Sequence, residues 1–195
     1  MKRKSKIFII SGPSGAGKTT IARKILKEIK DLRRSISCTT RSKRRGERNN
    51  IDYRFITKQR FDEMVKQNAF LEWACVLDNF YGTLGEDVTA ILQKGNDALL
   101  CIDVQGAEEV SKKNPEAVSI FILPPDLTEL KRRLIERGEP LKEVDKRLAL
   151  AKQELQKAGN YDYIVINDRL HKALEMIKSI IYAQRCKTEK KRRGI

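Results

Sequence analysis

Apolar positions along the chain fall into short continuous runs separated by stretches with helical spacing. Ile7–Ser11 is the first such run, and an amphipathic segment from about Lys18 to Lys30 follows it. Strand-like runs come next at Ser35–Thr40 and Asp52–Ile56. After them lie an amphipathic Lys58–Asn68, a strand at Phe70–Val76, a turn-like Leu77–Gly82, and a helix from Gly85 to Lys94 stopped by Gly95. The second half alternates more regularly. A buried strand at Ala98–Asp103 leads to a helix at Ala107–Lys113, and a strand at Val118–Leu123 ends at Pro124 and Pro125. Asp126 is placed to cap a helix running to Arg137, which Gly138 closes. A long amphipathic segment, Lys142–Ala158, a strand at Tyr163–Ile166 and a helix from Asp168 to Arg185 complete the pattern.

Strands spaced by helices predict an α/β fold with a parallel sheet covered on both faces and a ligand-binding edge at the strands' carboxyl ends. Ile7–Ser11, Ser35–Thr40, Ala98–Asp103, Val118–Leu123 and Tyr163–Ile166 are the expected members of a five-stranded sheet. The strands between Asp52 and Tyr81 lack long crossovers, so they predict a small mixed lobe inserted beside it.

The first strand-to-helix turn carries the first chemistry. Gly12, Pro13, Ser14, Gly15, Ala16, Gly17, Lys18 and Thr19 complete the pattern G-x-x-x-x-G-K-[ST], with Thr20 just beyond. Glycines there let backbone N–H groups turn toward phosphate oxygens at the positive end of a helix. Lys18 brings a mobile charge to the β and γ phosphates, and Thr19 offers a hydroxyl to Mg²⁺. The expectation is a P-loop NTPase fold that handles a nucleoside triphosphate.

Composition narrows the rest. The 195 residues suit one domain, and 40% apolar with 34% charged residues describes a soluble chain. No apolar stretch is long enough for a membrane span and no secretory leader is visible, so a cytoplasmic protein without a membrane partner is expected. Cys38, Cys75, Cys101 and Cys186 are scattered, and His171 is the lone histidine, which sets aside a zinc site and a Ser/His/Asp triad. The net charge of +15, from 41 Lys+Arg against 26 Asp+Glu, favours polyanionic ligands. The excess gathers in Met1–Lys6 and in the tail Lys187–Arg193, where no aromatic residues interleave to stack on bases, so nucleic acid is not the expected partner.

Opposite the P-loop, the segment from Ser35 to Glu47 supplies hydroxyls and arginines just past a strand end, and Arg41 and Arg44 have the planar fork that grips a second phosphate. Ser37-x-x-Thr40-Arg41-x-x-Arg44-x-Gly46-Glu47, Asp52-Tyr53-x-Phe55, Phe70-Leu71-Glu72-Trp73-Ala74, Tyr81-Gly82-Thr83 and Ile102-Asp103-Val104-Gln105-Gly106 together resemble the ordered signature of the guanylate kinase family. The resemblance implies the reaction ATP + GMP to ADP + GDP with Mg²⁺, with dGMP as a further acceptor. By the same resemblance, Ser37, Arg41, Arg44, Tyr53 and Tyr81 bind the GMP phosphate, while Glu72 and Thr83 read the guanine. A carboxylate suits that reading, because guanine presents donors at N1 and its 2-amino group.

Asp103 ends a buried strand and is expected beside the acceptor and, through water, the metal. Cys101 stands where the family usually carries an acid, and a core thiol is its plain reading. Arg132, Arg133, Arg137 and Arg147 flank Gly138–Lys142, the segment corresponding to the family's lid. Arg137 and Arg147 match its catalytic pair best, at an interval one residue shorter, and with Lys18 and Arg44 they form the expected catalytic set. Asn167 resembles an adenine-side contact, and Asp168 reads equally well as a helix cap. The implied division is a core of residues 6–34, 96–125 and 160–185, a GMP-binding lobe at 35–95, a helical lid at 126–159 and a basic tail at 186–195. A scaffold-type guanylate-kinase-like binding module and a kinase for a phosphorylated sugar are the alternatives, and oligomeric state stays open between monomer and homodimer.

Overall fold

A computed structural model describes residues 3–44 and 46–188. Met1 and Lys2 of the basic amino end and residues 189–195 of the basic tail lie outside the described residues. The chain opens with β1 (Ile7–Ser11), α1 (Lys18–Glu28), β2 (Leu32–Arg34), β3 (Cys38–Thr39), β4 (Arg54–Phe55), α2 (Lys58–Lys66), β5 (Phe70–Val76) and β6 (Asn79–Leu84). It continues with α3 (Gly85–Gln93), β7 (Asp97–Cys101), α4 (Val104–Lys113), β8 (Val118–Leu123), α5 (Leu127–Glu136), α6 (Leu141–Gln156), a 3-10 turn at Ala158–Asn160, β9 (Tyr163–Ile166) and α7 (Leu170–Cys186).

Five strands form the parallel sheet in the order β2-β7-β1-β8-β9, with Ile9 level with Leu100 on one side and with Ser119 on the other. Continuous apolar runs suit strands buried on both faces. On one face Phe8, Ile10, Leu99, Ile120 and Ile122 pack against Ile21 and Ile25 of α1 and Ile177 and Ile181 of α7. On the other, Ile9, Ala98 and Leu100 meet Val88 of α3 and Val110 of α4. Connections from the central β1 and back past it run to opposite sides, so its carboxyl end opens a crevice, and there the P-loop sits.

The edge strand differs from expectation. It is Leu32–Arg34 that pairs with β7, whereas Cys38–Thr39 belongs to the second sheet. An edge strand needs few apolar positions, and Leu32 alone, buried between charged neighbours, satisfies it. The second sheet, ordered β4-β3-β6-β5, forms a separate mixed lobe. There the predicted turn at Leu77–Gly82 shrinks to Leu77–Asp78. Both residues take positive φ (48° and 63°), the geometry of a two-residue hairpin turn, and the strand resumes at Asn79. Phe61 of α2 underpins this lobe, its ring 4.6 Å from Phe70 and 5.4 Å from Phe80.

Caps behave as the side chains dictate. Asp126 accepts from the Glu129 N–H at 2.7 Å and starts α5, and Thr57 does the same for α2 through the Arg60 N–H. Asp168 does not cap α7: that helix starts at Leu170 behind Arg169, and among the described residues Asp168 accepts only from the Arg169 N–H next to it. Asp97, at the start of β7 and fully buried, accepts from Arg3 Nη1 (2.6 Å), the Lys6 N–H (2.8 Å) and Arg185 Nε (2.8 Å), tying the first and last parts of the described chain to one strand.

Candidate active site

The carboxyl edge of the parallel sheet, the mixed lobe and the α5–α6 hairpin enclose one cleft of about 1370 Å³, large enough for two nucleotides. Gly12, Gly15 and Gly17 all have positive φ at its floor. Gly12 backs onto the Ile122 carbonyl and Gly17 onto the Asn167 amide, so closely that a β-carbon at either would overlap its neighbour. Lys18 donates to the carbonyls of Gly12 and Pro13, and burial pushes its ammonium below its ordinary pKa. Thr19, in the first turn of α1, lines the cleft, with Thr20 beside it. Asn167 donates through Nδ2 to the Ala16 carbonyl at 2.8 Å and is buried, so its side chain braces the loop as well as lining the cleft.

Asp103 combines two positions. Its Oδ1 caps α4, accepting from the N–H groups of Gln105 (2.8 Å) and Gly106 (3.1 Å), and its charge acts on Lys18. Glu154 of α6, which the sequence pattern did not single out, is also close enough to act on Lys18; burial raises its carboxyl pKa despite that neighbour. Cys101 is a buried free thiol at the end of β7, part of the core cluster and of the cleft wall, and burial raises its pKa.

The lobe's wall is equally ordered. Arg41 makes a two-pronged bond to Glu47, Nη1 to Oε2 and Nη2 to Oε1, each at 2.9 Å, and its Nε donates to the Tyr81 hydroxyl at 3.2 Å. Tyr53 packs against Tyr81 with ring centres 6.0 Å apart, and the Arg41 guanidinium lies 5.3 Å from the Tyr53 ring. Burial alone would lower the Arg41 pKa, and the Glu47 fork more than offsets it. Ser37 Oγ lies 3.4 Å from Thr83 Oγ1. A register shift between Phe70 and Glu72 adds one residue to β5, which sets Glu72 directly opposite Thr83. Glu72 is 2% exposed, and its Oε2 has no hydrogen-bond partner among the described residues. Burial raises its carboxyl pKa to about 8.

Where these walls meet, arginines converge. Arg147 Nη1 and Arg137 Nη2 donate to Ser14 Oγ of the P-loop at 3.1 and 3.3 Å. Arg44 of the lobe and the same two arginines of the α5–α6 hairpin surround the carboxylate of Glu139, another residue that the sequence pattern did not single out. Arg132 and Arg133 turn elsewhere: Arg132 pairs with Glu129 and Glu136 on its own helix, and Arg133 with Glu129 and the Asn167 carbonyl.

A P-loop floor faced by the arginine-bearing wall of a second lobe, with the α5–α6 hairpin bringing further arginines to the gap, defines a nucleoside monophosphate kinase. The family model described as guanylate kinase matches residues 4–184. Guanylate kinase of Syntrophomonas wolfei is 48% identical over 188 residues, 96% of each chain. That of Caldanaerobacter subterraneus is 46% identical, over 97% of this chain and 93% of its own. In three dimensions, the crystal structure of guanylate kinase from Anaplasma phagocytophilum superposes with a TM-score of 0.82 at 33% identity, covering 96% of this chain and 89% of that one. The chain belongs to the guanylate kinase family, whose reaction is phosphoryl transfer from ATP to GMP.

Proposed function

We propose that this cleft carries out that transfer with the following division of labour. The P-loop from Gly12 to Thr20 cradles the ATP phosphates, Lys18 following the β and γ oxygens, with Asn167 holding the loop from behind. Arg41, Tyr53, Tyr81 and Ser37 grip the acceptor phosphate, and Arg44 spans acceptor and donor. Glu72 and Thr83 read guanine: the partnerless Glu72 oxygen is an acceptor waiting for a donor, and guanine's N1–H and 2-amino group supply two. Arg137 and Arg147 neutralise charge on the phosphoryl group as it moves, a role that asks for position and preorganised charge rather than for a base. The acceptor is an ionised phosphate, so its nucleophilic oxygen needs no proton removed.

Mg²⁺ suits the donor-side chemistry. Thr19 and Asp103 offer hard oxygen donors next to Lys18, and the Asp103 cap bonds use Oδ1 alone. Thr19 would hold the ion by its hydroxyl and Asp103 through water; when bound, it offsets charge on the β and γ phosphates. The same reading assigns residues 35–95 to a GMP-binding lobe and 126–159 to a lid over the core.

One observation carries this reading: Ser14 of the P-loop and Arg44 of the lobe are joined through the same pair of lid arginines and their shared carboxylate, so the two anion cradles face a single gap. The test is coupled ADP release with GMP, dGMP, AMP, CMP and UMP. GMP is expected to dominate by orders of magnitude, dGMP to follow it, and Lys18→Ala to lower kcat at least about 100-fold while GMP binding persists. Equal turnover of AMP would remove the guanine-reading role of Glu72 and Thr83, and full turnover by the Lys18 variant would remove the P-loop from the chemistry.

A further inference from the structure

Between α5 and α6 the chain turns in four residues, Arg137, Gly138, Glu139 and Pro140. Gly138 takes φ +81°, its N–H donates to the Ile135 carbonyl at 2.8 Å, and the Glu139 N–H donates to Leu134 at 3.2 Å. These are the paired bonds that close a helix through a left-handed residue. Pro140 begins the next helix, its carbonyl accepting from the Val144 N–H at 3.0 Å. The backbone of Glu139 is thus fixed from both sides, and the corner aims its side chain into the cleft.

There its carboxylate, only 10% exposed, meets three guanidinium groups from two different walls. Oε1 accepts from Arg44 Nη2 at 2.7 Å and from Arg137 Nη2 at 2.6 Å, and Oε2 lies 3.4 Å from Arg147 Nε. No other carboxylate among the described residues pairs with all three. Burial, then Arg137 and Arg41, push the Arg44 pKa down, so the cations work against one another. The pull of Arg147, Arg44 and Arg137 outweighs burial and holds the Glu139 carboxyl below the usual range. Glu139 is the anion that lets these arginines gather.

We propose that Glu139 is a self-supplied placeholder for the migrating phosphoryl group: its carboxylate occupies the point where Arg44, Arg137 and Arg147 meet, draws the lid onto the P-loop and the lobe, and yields that point when ATP and GMP bring their phosphates. The proposal rests on the assignment of the cleft to ATP-to-GMP transfer. A carboxylate presents the two-oxygen edge that an arginine fork accepts, but it carries a single charge. A transferring phosphoryl group with its metal-bound neighbours spreads more charge over three oxygens and makes the stronger partner. Glu139 also has the reach to withdraw, since its side chain swings on three torsions while its backbone stays fixed. Binding therefore carries a penalty set by how often the carboxylate holds the point, and occupancy nine times in ten weakens apparent affinity about tenfold.

The test uses adenosine–guanosine pentaphosphate, a two-headed probe that spans both cradles. Its Kd is measured by calorimetry for the wild-type chain, Glu139→Gln, Glu139→Ala and Glu139→Asp, with KM for ATP and GMP from coupled ADP release. Gln keeps the shape of the side chain and safeguards the corner should Ala unfold it, which a melting curve reports. Gln and Ala are expected to tighten the probe about 5- to 10-fold and to lower KM for both nucleotides, with Asp, charged but shorter, in between. An unchanged or weaker Kd in both variants, or a fall in kcat at constant KM, would overturn the placeholder and make Glu139 a fixed orienting group. Absence of GMP-dependent ADP release by the wild-type chain would overturn the transfer assignment itself, a result separate from either of those.

Discussion

Glu72 and Gly106 belong to different parts of the molecule, lobe strand β5 and core helix α4, yet a β-carbon on Gly106 would stand 2.9 Å from Glu72 Cδ and closer still to Oε2. The helix can seat the carboxylate only because that position is glycine. Gly106→Ala must move either the helix or the carboxylate. It is expected to raise KM for GMP about tenfold or more while changing KM for ATP little, as measured in ADP-release assays at varied GMP and ATP.

The same carboxylate links folding to pH. Its pKa is about 8, against an ordinary 4.5, so the folded chain keeps a proton that the unfolded chain gives up in that interval. Stability from this group is fully present below about pH 4.5 and is lost as pH rises through about 8. Glu72→Gln removes the loss: its stability relative to wild type, read from urea unfolding, is expected to improve by about 4 kcal/mol between pH 5 and pH 9. GMP binding near neutral pH should also expel a proton from wild type, seen as a buffer-dependent calorimetric heat that the Gln variant lacks.

Asn167 braces the P-loop through the Ala16 carbonyl and against Gly17. Asn167→Ala leaves that carbonyl without its donor and opens space behind the loop, a loss of about 1–2 kcal/mol. KM for ATP is expected to rise about 5- to 30-fold with KM for GMP unchanged; a change confined to the GMP side would show that the residue acts elsewhere.

Asp97 holds Arg3 and Arg185 with no exposure of its own side chain. Asp97→Ala strands the partly buried Arg185 and frees the Lys6 N–H, and breaking a buried pair in this way costs about 3–5 kcal/mol. Equilibrium urea denaturation should report that loss. Midpoints equal to wild type would mean that the cluster adds nothing net.

Sequence pattern reached the P-loop turn and the sheet's central strands because each has a local cause. Glycines at fixed offsets and apolar runs carry their own geometry. The edge strand escaped because Arg33 and Arg34 hide the one buried position of Leu32–Arg34, while Ser35–Thr40 offered the better-looking run. The bulge that pairs Glu72 with Thr83 has no signature in Phe70-Leu71-Glu72, since a one-residue slip is decided by the partner strand. Nothing in the local pattern singles out Glu139 or Glu154. Their place beside Arg44 and Lys18 depends on how two distant helices fold over the sheet.

The carboxylate that begins β7 gathers Arg3 and Arg185 at the amino-terminal rim of the parallel strands, whereas the nucleotide cleft lies beyond their carboxyl ends. A label fixed at Arg3 or Arg185 itself therefore sits at the opposite end of the parallel strands from the cleft. Surface immobilisation through such an appendage leaves the mouth of the cleft pointing into solution.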